Sequence, residues 1–257
     1  MHEYWLYLIT ILGGLAAGCI NTLAGNGSAI TLTILTEFVG LPPTVANASN
    51  RVGVVSQTAF GLLAFARQGQ FSVSGTKVFI WITFLGGLLG VYLATIVSDA
   101  DFRDFFKAMM VLMLFILLFK PERWIQQSKV IRKIHPAISY PLYFATGIYG
   151  GFIQMGVGIF FLVLTVMIAR FPVIKANVAK LLVSLMFTGV SLILFQYHGL
   201  LDWKYGLLLA LGQGFGGWLT AHYASNSPKA GLWGYRLLIV GILLSLIKLF
   251  ELHTYLM

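Results

Sequence analysis

Charge is what this chain has least of, acidic charge above all. Asp and Glu number 8 against 17 Lys and Arg in 257 residues, and charged side chains make up 10% of the total. A soluble domain carries about 25%, so a surface this poor in charge cannot face water all round. That excludes an ordinary soluble enzyme or binding domain and implies an all-α polytopic membrane protein, a reading supported by 58% hydrophobic residues and a mean hydropathy of +0.87. The apolar stretches run for about 20 residues without alternating, which argues against a β-barrel. A single cysteine, Cys19, leaves no partner for an intramolecular disulfide and no cysteine metal cluster. The N-terminus, Met1 to Trp5, lacks a basic leader region, so the first apolar segment is expected to be retained. There is no metal-ligand spacing, no arguable Ser-His-Asp set and no phosphate-binding glycine loop after a strand, so neither an enzyme nor a cofactor is expected.

The apolar segments fall at about 4–24, 27–39, 44–66, 75–97 and 103–119. After a basic linker at 120–136 they resume at about 137–155, 158–170, 174–197, 203–224 and 231–251. The rhythm of each half is long, short, long, long, long. Subtracting 130 superposes Pro172 on Pro42, Ala176 on Ala46, Asn177 on Asn47, Thr188 on Thr58, Phe195 on Phe65, Gly199 on Gly69, and Gly216-Gly217 on Gly86-Gly87. Upstream the offset grows to 133, pairing Gly147 with Gly14 and Gly151 with Gly18. The reading is two repeats, 4–119 and 137–252.

Lys and Arg collect on cytoplasmic loops. With the linker inside, Arg67, Lys77, Arg170, Lys175, Lys229 and Arg236 fall on its side, and Glu3, Glu37, Asp99, Asp101, Asp104, Asp202 and Glu251 on the other. The net charge of +9 therefore reflects topology and implies no nucleic-acid partner. This arrangement needs an odd number of crossings per half, so the repeats are inverted, with both termini outside. The short segments at 27–39 and 158–170 cannot cross a core of about 30 Å. Each long-short pair is read as a re-entrant hairpin broken at glycine, leaving three full crossings per half.

Irregular backbone at membrane depth survives only where protein buries it or a cavity adjoins it, and paired helix breaks in inverted repeats point to a transport site. The first break, Gly25-Asn26-Gly27-Ser28, frees N–H groups at a helix start, a favourable place for an anion. Gln154, Gly156 and Gly158 mark the second. Two cations are expected inside the membrane, Arg51 and Lys180, and no acidic residue is placed to neutralise them. Buried cations are functional-site candidates, and a small anionic substrate is the missing partner; snorkelling or bonding to backbone carbonyls is the alternative. Asn47 and Asn177 cap helices or brace the breaks, while Asn21, Thr22, Asn50 and Gln57 in the first half, with Gln154 and Ser184 in the second, supply neutral hydrogen bonds. Glycines such as Gly13-Gly14, Gly18, Gly86-Gly87, Gly90, Gly212 and Gly214 read as packing contacts.

The run Gly14 to Gly27 (GLAAGCINTLAGNG), the turn Leu41-Pro42-Pro43 and Ala46 to Arg51 (ANASNR), with a degenerate second copy from Gly147, resemble the sulfite exporter TauE/SafE family of membrane permeases. The resemblance covers essentially the whole chain. It implies a multi-pass protein of a bacterial-type inner membrane that moves small sulfur oxyanions, sulfite or sulfonates such as sulfoacetate, usually outward. The residues alone reach only a small anion and leave an anion channel, an uptake permease, a membrane scaffold or an intramembrane enzyme open, as well as a homo-oligomer in the lipid bilayer. The second copy departs from the pattern at Gln154-Met155 and in its shortened break.

Overall fold

A computed structural model describes residues 2–23, 25–118, 135–223 and 230–250. Most of the basic linker lies outside the described residues. Within them the fold is all-α. The chain forms α1 (His2–Leu23), α2 (Ser28–Thr33) continuing as a π-helical turn (Ile34–Phe38), α3 (Pro43–Arg67), α4 (Lys77–Ile96) and α5 (Asp99–Leu118). It then forms α6 (Pro136–Phe152), α7 (Val157–Leu162) continuing as a second π-helical turn (Val163–Ile168), α8 (Val173–Tyr197), α9 (Trp203–Tyr223) and α10 (Ala230–Leu249). By length and composition alone, Glu3–Thr22, Lys77–Ile96 and Val173–Tyr197 suffice to cross a membrane.

Polar contacts place the helix ends. Glu3 of α1 pairs with Lys204 at the start of α9 (2.6 Å). The Asp202 amide donates to Ser49 Oγ (2.8 Å), and Thr44 donates from its amide and hydroxyl to Asp99 Oδ1 (3.0 and 2.7 Å). Lys248 lies over the Phe38 ring. The starts of α1, α3, α5 and α9 and the ends of α2 and α10 therefore share one end of the molecule. At the opposite end Gln68 donates to the Ala221 carbonyl, Phe79 packs on Tyr140 and Phe171, and Gly75 lies against Phe171. The end of α3, the start of α6 and the turn after α7 meet there.

Each broken pair thus leaves from and returns to the same end: α1 with α2 at one, α6 with α7 at the other. The short arms hold 6 and 5 residues, and 6 and 6. At 1.5 Å per residue they reach roughly 16 and 18 Å inward, together about the thickness of a hydrocarbon core of about 30 Å. Their inner tips touch: a Cβ on Gly25 would stand 2.5 Å from the Gly158 Cα. Gly25 also has φ +81, a left-handed conformation glycine adopts freely.

Helix α1 packs along α9 and α4 along α6, while α3 packs on α9 and crosses α8. In the first two pairs glycine lets backbones meet. Cβ atoms added at Gly14, Gly18, Gly212 and Gly216 would run into the carbonyls of Leu209, Gln213, Ile11 and Leu15. Gly147, Gly151, Gly86 and Gly90 face those of Thr83, Gly87, Phe144 and Ile148 in the same order. These contacts match Gly86 to Gly212 and Gly90 to Gly216, an offset of 126 where the sequence comparison used 130. The turn at 198–202 is four residues shorter than the one at 68–76, and four residues are close to one helical turn, so both registers align the glycine stripes.

Candidate functional site

The C-termini of α1 and α6 end inside the protein, where their last carbonyls have no helical partner. A buried cation from the other half meets each. Lys180 Nζ, on α8, donates to the carbonyls of Asn21 and Thr22 at the end of α1 (both 3.1 Å). Arg51, on α3, donates to the carbonyls of Gly150 (3.0 Å), Gly151 (2.7 Å) and Phe152 (3.2 Å) at the end of α6, and closely to Gln154 Oε1. The Asn47 amide adds a bond to the Phe152 carbonyl (2.9 Å). The negative ends of two helix dipoles are thereby held by positive charge, and carbonyls that would be orphaned in the membrane are satisfied.

The two cations differ in what else they face. A small cavity of about 20 Å³ lies where the two breaks meet the crossing of α3 and α8, and Lys180 lines it while Arg51 does not. Asn21, Gly25, Ser28, Gln57, Gln154 and Gly158 line it too. Arg51, expected to offer its charge to an anion, is fully buried: its two terminal nitrogens bond helix carbonyls and Gln154, its Nε has no partner, and its guanidinium carbon lies 5.9 Å from the Phe195 ring centre.

Other expected residues lie around the cavity without lining it. Thr22 contributes its carbonyl to Lys180, and its hydroxyl accepts from Gln57 Nε2 (3.4 Å). The Gly27 amide donates to Asn21 Oδ1 (2.6 Å), bracing the first break. Asn50 Oδ1 accepts from Thr31 and Gln213 (2.7 and 3.0 Å), tying α3 to α2 and α9. Asn26 is fully buried with both side-chain polar atoms unpartnered, beside Gly156, itself left-handed at φ +72. Asn177 is half-buried, its Oδ1 lacks a partner, and it does not repeat the brace made by Asn47.

Gln154 is held most tightly. It sits at φ +62, uncommon for a residue with a side chain. Its amide is locked between Arg51 and Thr188, with Nε2 donating to Thr188 Oγ1 at 3.0 Å. Ser184, expected to supply a neutral hydrogen bond, lines the cavity, while Thr58, which also lines it, and Thr188, which holds Gln154, stood outside the expected set. Helical spacing was the signal that could have found these two: Thr58 is seven residues after Arg51, and Thr188 is eight after Lys180.

Ala48 and Phe195 cluster with Val91 and Ala94, and Phe65 and Val178 cluster with Leu62, Leu181 and Ala221, of which Leu181 also lines the cavity. A polar, cation-bearing cavity between broken helices in an apolar all-α protein is the arrangement of a membrane transport protein.

The chain belongs to the sulfite exporter TauE/SafE family, which matches residues 10–249. It is 26% identical over 228 residues to the probable membrane transporter protein ORF9 of Sinorhizobium sp, covering 87% of this chain and 86% of that protein. It is 28% identical to the probable membrane transporter protein YfcA of Escherichia coli K12, over 78% of this chain and 74% of the other. Against the probable membrane transporter protein YunE of Bacillus subtilis it is 21% identical, over 84% and 87%. No solved structure matches the chain.

Proposed function

We propose that this protein exports a small sulfur-containing anion, sulfite or an organosulfonate, across a bacterial inner membrane by alternating access. The observation that carries the reading is the Lys180 ammonium in a cavity with no carboxylate in its lining. Removing a cation this deep from water is costly, and an anion in the cavity is the natural counter-charge. The Ser28 hydroxyl, buried and without a partner, is a further donor for it. The sulfur oxyanion class follows the family's name alone.

Two inverted repeats are the architecture we assign. It is supported by the hairpins entering from opposite ends, by the matched glycine contacts and by the reciprocal cations. The two π-helical turns also end alike, with Leu41 donating to Leu35 and Phe171 to Thr165, pairs 130 residues apart. Phe65 and Phe195, each a buried aromatic in an apolar cluster, are likewise 130 apart. A cavity of about 20 Å³ holds about one water, so admitting an anion requires its walls to part. The end carrying Arg67, Lys77, Arg170 and Lys175 is the cytoplasmic one by charge, which puts the start of α1 and the end of α10 outside. An exported anion then gains about 2.3 kcal/mol per charge per 100 mV.

Flux into proteoliposomes tests this. Sulfite or sulfonate should move with saturable kinetics, and Lys180→Met should slow it by about 100-fold or more. Wild-type flux in the folded Lys180→Met protein would remove Lys180 from the site, and large single-channel currents would replace the carrier with a channel.

A further inference from the structure

Gln57 does not behave as an anion's neighbour should, and that narrows the substrate. It is 2% exposed, it lines the cavity, and its Oε1 has no partner. The orientation of its amide is determined by Thr22. The Thr22 hydroxyl donates its one proton to the Gly18 carbonyl (2.9 Å), so toward Gln57 it has only lone pairs. It therefore takes the Gln57 Nε2 donor at 3.4 Å, which turns Oε1, an acceptor, away from it. Gln154, which also lines the cavity, is oriented the other way. Arg51 has no acceptor to offer, so it claims Gln154 Oε1, and the amide's donor group is left to Thr188 and one further partner.

The cavity thus combines one cation on Lys180, donors on Ser28 and Gln154, and one stranded acceptor on Gln57. A fully deprotonated oxyanion satisfies the first three and leaves the acceptor facing its own negative charge. A buried acceptor without a donor is penalised, and a site built around one discriminates strongly against ligands that lack the matching group. A single cation is also neutralised by one negative charge and overcompensated by two.

Resting on the anion-transport reading above, we infer that the cavity selects monoanions that carry their own hydroxyl donor, with hydrogen sulfite the smallest member and hydroxyalkanesulfonates the larger ones. The donor bonds Gln57 Oε1 while the oxyanion faces Lys180. Dianions such as sulfite proper or sulfoacetate bind less well.

The test is a binding titration on purified full-length protein with two probes of equal charge and near-equal size, 2-hydroxyethanesulfonate and ethanesulfonate. The wild type is expected to prefer the hydroxyl compound by about tenfold or more. Gln57→Met, which removes the acceptor, should bring the two to within about threefold. Thr22→Val, which frees the Gln57 amide to turn over while leaving the backbone carbonyl that holds Lys180, should do the same and serves if the Met variant does not fold. Equal binding of both probes by the wild type would overturn the inference and leave the anion reading standing, as would a preference that survives both substitutions. Binding of neither probe, nor of sulfite at any pH between 6 and 8, would remove the anion reading itself.

Discussion

The two helix breaks are held by the same device and used differently. At the end of α6, Arg51 satisfies three carbonyls and the Gln154 side chain, with Asn47 adding a further bond. At the end of α1, Lys180 satisfies two carbonyls and also borders the cavity. The difference follows from side-chain chemistry. A guanidinium offers five donors in a rigid fork and suits a cluster of fixed carbonyls, whereas an ammonium is a compact charge on a flexible stem and can be shared with a ligand. One break is locked by its cation; the other keeps its cation available.

Substitutions can break or sharpen that contrast. Arg51→Leu should have the largest effect, since it strands the carbonyls of Gly150 and Gly151 in the interior and leaves Phe152 with Asn47 alone. A loss of about 3–5 kcal/mol is expected, by analogy with breaking a buried charge pair, read as a steep fall in the detergent melting midpoint or in yield. Gly25→Ala comes next at about 2–4 kcal/mol, because it adds a left-handed strain to a clash with Gly158 backbone. The matching change in the other break, Gly156→Ala, meets chiefly the end of the Met113 side chain, and about 1–2 kcal/mol is expected from the same melts. Lys180→Met should cost about 1–3 kcal/mol for two stranded carbonyls, with transport falling much further than stability. Smallest is the pair Asn47→Ala and Asn177→Ala. The first loses the bond to Phe152 and should cost about 1 kcal/mol; the second loses no bond of this kind and should stay within about 0.5 kcal/mol. Equal costs for the two asparagines would mean that the breaks are braced alike after all.

Much of the helix layout was legible because proline and glycine punctuate it. The short segments expected at 27–39 and 158–170 are Ser28–Phe38 and Val157–Ile168 in the structure, each bounded by a glycine break and a proline turn. Charge grouped Glu3, Asp99 and Asp202 at one end, where polar contacts also draw their helix starts together. The π-helical turns were not legible, since they differ from α-helix only by a one-residue slip in carbonyl partner that leaves no mark in apolar composition. Nor was the choice between the two cations. Lys180 superposes on Asn50, one residue from Arg51, and one residue turns a helix by about 100°. Sequence spacing put both charges at the same depth, but which one faced the cavity depended on that rotation and on helices distant in the chain.

The account turns on Lys180 as the anion's partner and Arg51 as the clamp on α6. Its most direct test is a titration of sulfite near neutral pH against wild-type protein, Lys180→Met and Arg51→Lys, each shown to be folded by its melt. Affinity weakened by about 100-fold or more in Lys180→Met, and by no more than about tenfold in Arg51→Lys, is the expected result. Full affinity in folded Lys180→Met, or its loss in a folded Arg51→Lys alone, would contradict the account.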